Sequence, residues 1–131
     1  MGMLDQAADV GLPYSDGTSD GAVAVDDLAA SSVRYLIPAR WRGKIVTFQA
    51  DGQDFYIGFG GDTVAASKTQ KSSIAANAIT FAAGSSAVVP SGQERPFHVP
   101  VDPAVTSFAI IAASASGQWR AYMSVGKGSQ Q

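Results

Sequence analysis

Between residues 44 and 50 the chain alternates: Val46, Phe48 and Ala50 fall on one side of an extended backbone, and Ile45, Thr47 and Gln49 fall on the other. This period of two belongs to a half-buried β-strand and not to a helix. Asp51-Gly52 follows, a pair suited to the positive φ angles of a tight turn, and residues 53–59 return with Phe55, Ile57 and Phe59 together. The two segments read as a β-hairpin with one aromatic-rich face. Such a face must be covered by a second layer, which directs the chain toward an all-β sandwich or barrel.

The same pattern continues on both sides. Residues 33–37 form a short apolar-rich run ended by Pro38, which cannot donate to a sheet ladder. Strand signals recur at 78–82 and 87–89, and after Pro90-Ser91-Gly92 the run 95–99 alternates up to Pro100, with Pro96 indicating an edge position. A second hairpin is read in 106–113 returning through Ser114-Ala115-Ser116-Gly117 into 118–125, where Trp119, Ala121, Met123 and Val125 share a face. Residues 63–77, with the polar run Ser67-Lys68-Thr69-Gln70-Lys71-Ser72-Ser73, read as a long exposed loop. About eight short strands at this spacing predict an antiparallel β-sandwich, jelly-roll-like, over residues 31–131. Period two fixes faces but leaves strand order open.

Residues 1–30 differ. Gly11, Pro13, Asp16, Gly17, Asp20 and Gly21 interrupt every apolar run, so the segment reads as an extended N-terminal arm. Its apolar members, Leu4, Val10, Leu12, Tyr14, Val23 and Val25, are too many for a chain left in solvent and are the candidate partner-binding residues.

Composition narrows the function. Charged residues make up 15% of the 131-residue chain against 46% hydrophobic, below the roughly 25% charge usual for soluble domains, which points to surface meant to be covered. The net charge of −2 leaves no basic excess for phosphates, and the short cluster Arg40, Arg42 and Lys44 stands alone, so nucleic acid is not an expected partner. With no cysteine, neither disulfides nor a thiolate metal site are available. The opening Met1-Gly2-Met3-Leu4-Asp5-Gln6 lacks an export signal's basic start, and apolar runs such as 108–115 are too short to cross a membrane as a helix. The reading is a soluble protein made in a cytoplasm, without a membrane partner.

No residue cluster carries a catalytic, metal or cofactor signature. His98 sits in a strand opposite Phe97 and Val99 and reads as a partly exposed strand histidine without an orienting partner. Asp16-Gly17-Thr18-Ser19-Asp20-Gly21 has the oxygen-rich look of a calcium loop but no closing bidentate Glu, since Glu94 is the chain's one glutamate. It reads as a pair of Asp-Gly turns. Gly58-Phe59-Gly60-Gly61 lacks the Lys-Ser or Lys-Thr of a phosphate cradle and reads as glycines that end a strand. Asp51 and Asp54 flank a turn and do not form the paired acids of a glycosidase. Trp41, Tyr56, Trp119 and Tyr122 could stack on sugars, although alternation places Trp119 in the core.

The stretch Ile37-Pro38-Ala39-Arg40-Trp41-Arg42-Gly43-Lys44-Ile45-Val46-Thr47-Phe48-Gln49-Ala50-Asp51-Gly52, with Phe55-Tyr56-Ile57-Gly58-Phe59-Gly60 after it, resembles small virion proteins of tailed bacteriophages. Glu94-Arg95-Pro96-Phe97-His98-Val99-Pro100, Thr106-Ser107-Phe108-Ala109-Ile110-Ile111-Ala112 and Ser116-Gly117-Gln118-Trp119-Arg120 look like the C-terminal half of head decoration, or cement, proteins of jelly-roll type. The likeness covers about residues 33–125. It implies a non-enzymatic virion structural protein, a homodimer or homotrimer that binds the outer surface of the major capsid protein shell and reinforces it. The arm would clasp a neighbouring subunit. The alternative is a phage tail or fibre module that binds host carbohydrate, with a hydrolase third.

Overall fold

A computed structural model describes residues 12–13, 23–68, 73–80 and 86–125. Eleven strands lie among the described residues: β1 (Leu12–Pro13), β2 (Ala24–Asp27), β3 (Val33–Leu36), β4 (Ile45–Asp51), β5 (Phe55–Gly60), β6 (Ser73–Ala75), β7 (Ala78–Thr80), β8 (Ala87–Val89), β9 (Glu94–His98), β10 (Ser107–Ala112) and β11 (Gln118–Val125). A 3-10 turn at Ala39–Trp41 drives the Trp41 indole into the core. The architecture is an all-β, antiparallel sandwich.

Strand order follows a nested rule. β2 pairs with β11, β3 with β10, β4 with β9, β5 with β8 and β6 with β7, as if one long hairpin had been rolled up. The roll closes where β4 meets β11 and β5 meets β10. The first sheet therefore reads β2-β11-β4-β9, with β1 also on β11, and the second reads β3-β10-β5-β8. That order is the jelly roll. Pro96 lies in β9 at the edge of the first sheet, where a missing N–H is tolerated.

Both segments read as hairpins are instead arches between the sheets. β4 belongs to the first sheet and β5 to the second, and the same separation holds for β10 and β11. Alternation specifies that one face of each strand is apolar, and facing another sheet across the core satisfies that demand as well as lying beside a neighbour does. The two arches press together: Gly52 has φ +101 and Gly117 φ +79, and a Cβ on Gly117 would run into the Asp51 carbonyl oxygen. The Gln53 amide locks the contact by donating to the carbonyls of Ser114 and Ser116, each at 2.6 Å.

The predicted inward faces hold. Val46, Phe48, Ala50, Phe55, Ile57, Trp119, Ala121 and Met123 are all buried, and Phe59 packs against them. Phe108 is the hub, its ring 5.2 Å from Tyr35, 5.5 Å from Phe48, 5.7 Å from Trp119, 5.8 Å from Trp41 and 5.9 Å from Phe59. Pairs at these separations contribute about 0.5–1.5 kcal/mol each beyond the area they bury.

Residues 63–77 are not one exposed loop. Ala66 is buried, and residues 61–68 lie on the outer face of the second sheet, where the Ala66 N–H donates to Ser32 Oγ at 2.9 Å and the Ser67 N–H to Ser86 Oγ at 3.2 Å. Room for them comes from β5, whose outward positions are glycines: a Cβ on Gly60 would come 2.9 Å from Val64 Cγ2, and one on Gly58 would come 3.2 Å from Ser86 Oγ. Beneath, Ser107 and Ala109 are fully buried although they point out of the sandwich. β6 and β7 then form a separate hairpin around Ala76 (φ 50) and Asn77 (φ 64), with the cross-strand pair Ile74 and Ile79 exposed.

Candidate interaction surface

Among the described residues none covers the outer face of the first sheet, and register sorts its side chains into rows. One row runs Val25, Arg120, Gln49, Glu94 across β2, β11, β4 and β9. The next toward the arches is Asp27, Gln118, Asp51, and the next away from them contains Tyr122, Thr47, Pro96. Within the rows the polar groups bond one another. Gln49 Nε2 donates to Glu94 Oε2 at 2.7 Å, Tyr122 Oη donates to the same oxygen at 3.2 Å, and Arg120 Nη2 lies 3.7 Å from Asp51 Oδ2. Partial burial, then the negative charge of Glu94, pushes the Tyr122 phenol pKa upward, so it stays a neutral donor. Gln49, Asp51, Gln93, Glu94 and Arg120 line an open groove of about 330 Å³ beside the arch from β8 to β9.

At the β2 edge this face meets a second network. Asp26 Oδ2 accepts from Tyr35 Oη at 2.8 Å, and Tyr35 Oη accepts from Trp119 Nε1 at 3.3 Å, tying β2 and β11 of one sheet to β3 of the other. Burial, reinforced by Asp26 and Asp27, pushes the Tyr35 phenol up to about 12. Val25 stands half exposed on this edge strand and Val23 half exposed just before it, and β2 is hydrogen-bonded to β11 alone among the described strands.

The arm residues fall as follows. Leu4, Val10 and Tyr14 lie outside the described residues, as do the Asp-Gly turns of residues 16–21. Leu12 enters β1 opposite Val125, while Val23 and Val25 border the open sheet face. Two parts of residues 1–30 are thus edge strands of the first sheet.

The remaining sequence candidates take structural places. His98 is exposed on β9, its Nε2 3.3 Å from the Gly43 carbonyl. Asp54 accepts from the Ser91 N–H at 2.7 Å and so fastens one arch to another. Trp41 and Trp119 are core residues, which leaves Tyr56 and Tyr122 as half-buried rings on opposite outer faces. Arg42 is turned inward on its loop, donating through Nη1 to the carbonyls of Val105 (2.6 Å), Asp102 (3.1 Å) and Pro100 (3.5 Å). The described carboxylates Asp26, Asp27, Asp54, Asp62, Glu94 and Asp102 each have a hydrogen-bond donor from the fold itself, and Asp51 has Arg120 as its ion-pair partner. Among the described residues no group of three or more His, Asp or Glu converges as a metal site, and no helix is long and apolar enough to cross a membrane.

Sequence reasoning missed the groove because its members come from three strands far apart in the chain. The available signal was alternation itself, which puts Gln49, Asp51, Glu94 and Arg120 on the polar side of their strands.

No protein-family profile matches the chain, and no curated protein matches it. Among solved structures it is similar to one described as Bacillus endospore appendages, a family of disulfide-linked pili, at TM-score 0.40 and 16% identity, over 78% of this chain and 83% of that one.

Proposed function

We propose that the chain is a non-enzymatic virion structural protein, a capsid decoration protein that binds the outer surface of the major capsid protein shell and stabilises it. The supporting observation is the β2 edge, where a short strand paired on one side alone among the described residues carries half-exposed Val25, with half-exposed Val23 just before it, beside a sheet face whose polar groups already bond one another. An edge of this kind gains ladder hydrogen bonds and apolar burial by docking. The engagement of each described carboxylate by the fold itself supports reading this region as a contact surface.

The double variant Val23→Glu, Val25→Glu keeps both side chains in solvent and should leave the circular dichroism unchanged while cutting co-sedimentation with expanded capsids at least tenfold. Undiminished binding overturns the proposal. The rival, a tail or fibre module for host carbohydrate, draws on the polar groove at Gln49, Glu94 and Arg120. A glycan array separates the two, with Arg120→Ala abolishing any signal the groove produces.

A further inference from the structure

β1 and β2 lie on the same edge of β11 but do not share one register. Pro13 pairs with Ser124 and Ala24 with Ala121, so the ten residues 14–23 join two points that Tyr122 and Met123 alone separate on β11. Three strand steps cover roughly 10 Å. Ten residues can span up to about 35 Å. A strand merely continuing along the edge would need two residues there, so β1 and β2 meet β11 as two separate segments joined by more chain than the gap requires.

Its hold on β11 is slight. β1 is two residues long, one of them a proline with no N–H for the ladder. Ser124, the residue facing Pro13, has the one buried side-chain oxygen among the described residues without a hydrogen-bond partner. The same slot exists on every copy of the chain. A length of ten residues is enough, at full extension, to reach across a folded domain of about 100 residues, whose radius of gyration is roughly 13 Å.

We propose that β1 is exchanged between copies: in the oligomer, Leu12–Pro13 of one chain lies on Ser124–Val125 of a second copy, with β2 remaining on its own β11. Every pairing lost within a chain is regained between chains, which makes exchange of an identical element a low-cost route to an oligomer. This goes beyond the proposed function, because it concerns how copies of the chain join one another and names the strand that links them.

The absence of cysteine gives a clean test. Leu12→Cys and Val125→Cys are prepared as separate single variants of the purified full chain, mixed and oxidised. Adjacent strands hold paired Cα atoms about 4.5–5.5 Å apart, within disulfide range. Exchange predicts a covalent heterodimer at least ten times more abundant than in a control mixture of Leu12→Cys with Asn77→Cys, together with covalent oligomers from the double variant. An internal disulfide in the double variant with control-level linkage in the mixture overturns it. The pair Pro13→Cys and Ser124→Cys repeats the measurement should the first pair perturb folding, as read by circular dichroism. Capsid binding of the unlinked protein is scored separately: binding without linkage overturns the exchange alone, and linkage without binding overturns the decoration role alone.

Discussion

The two sheets are built alike on their inner faces and treated oppositely on their outer ones. The second sheet is clad by its own chain, with residues 61–68 lying over Gly58, Gly60, Ser107 and Ala109. The first carries Arg120, Gln49, Glu94, Asp51 and Tyr122 in open rows. The difference is set by the outward positions of the strands: glycine and alanine let a chain segment approach a sheet, whereas long polar side chains keep it away. The clad side is thereby covered by the chain itself, and the other is left open by the described residues.

That contrast is breakable by mutation. The largest effect is expected from the double variant Gly58→Val, Gly60→Val, whose side chains would collide with Ser86 and Val64 and lift residues 61–68. Overpacking of this sort should cost about 3 kcal/mol, seen as a lower urea midpoint, while Gln49→Val on the bare face should stay within about 0.5 kcal/mol. Next comes Arg42→Ala, which leaves the carbonyls of Val105, Asp102 and Pro100 without their shared donor and should cost about 2 kcal/mol. It would sharpen the comparison by showing that the loops joining the sheets, away from both faces, need their own clamp.

A pH experiment probes the seam between the sheets. Because the folded state raises the Tyr35 pKa from 10.0 to about 12, the fold favours the neutral phenol. That contribution is complete below pH 10 and is lost as the pH rises from 10 toward 12, since the unfolded chain releases its proton first. Urea midpoints measured across this window should fall for the native chain and fall less for Tyr35→Phe. The smallest effect belongs to the bare face itself: Arg120→Ala removes an exposed ion pair at 3.7 Å and should change stability by less than about 0.5 kcal/mol.

Faces were legible in the sequence and neighbours were not. Val46, Phe48 and Ala50, and again Trp119, Ala121 and Met123, point inward as alternation requires, because burial of one side is a property of the strand alone. Which strand lies beside it is a property of the whole roll, and both apparent hairpins proved to be arches. The true hairpin at β6 and β7 escaped notice because Ala76-Asn77 adopts positive φ without the Asn-Gly or Asp-Gly pair that announces such a turn. β2 escaped because Asp26 and Asp27 are poor strand formers, and their place is secured by Tyr35 and Gln118 from elsewhere in the chain. Val23 and Val25 were readable as partner-facing candidates from their apolarity amid glycine and aspartate, whereas the grooved polar face needed three strands to be brought together.

The nested pairing also sets a timetable. Among the described strands β11 is made last, and it is an inner strand of the first sheet, bonded to β4 on one side and to β1 and β2 on the other. Until residues 118–125 are made, β1 and β2 have no ladder to join, so the first sheet closes late and through contacts distant in sequence, in milliseconds to seconds. Loss of even the final few strand residues would therefore be felt first at the opposite terminus.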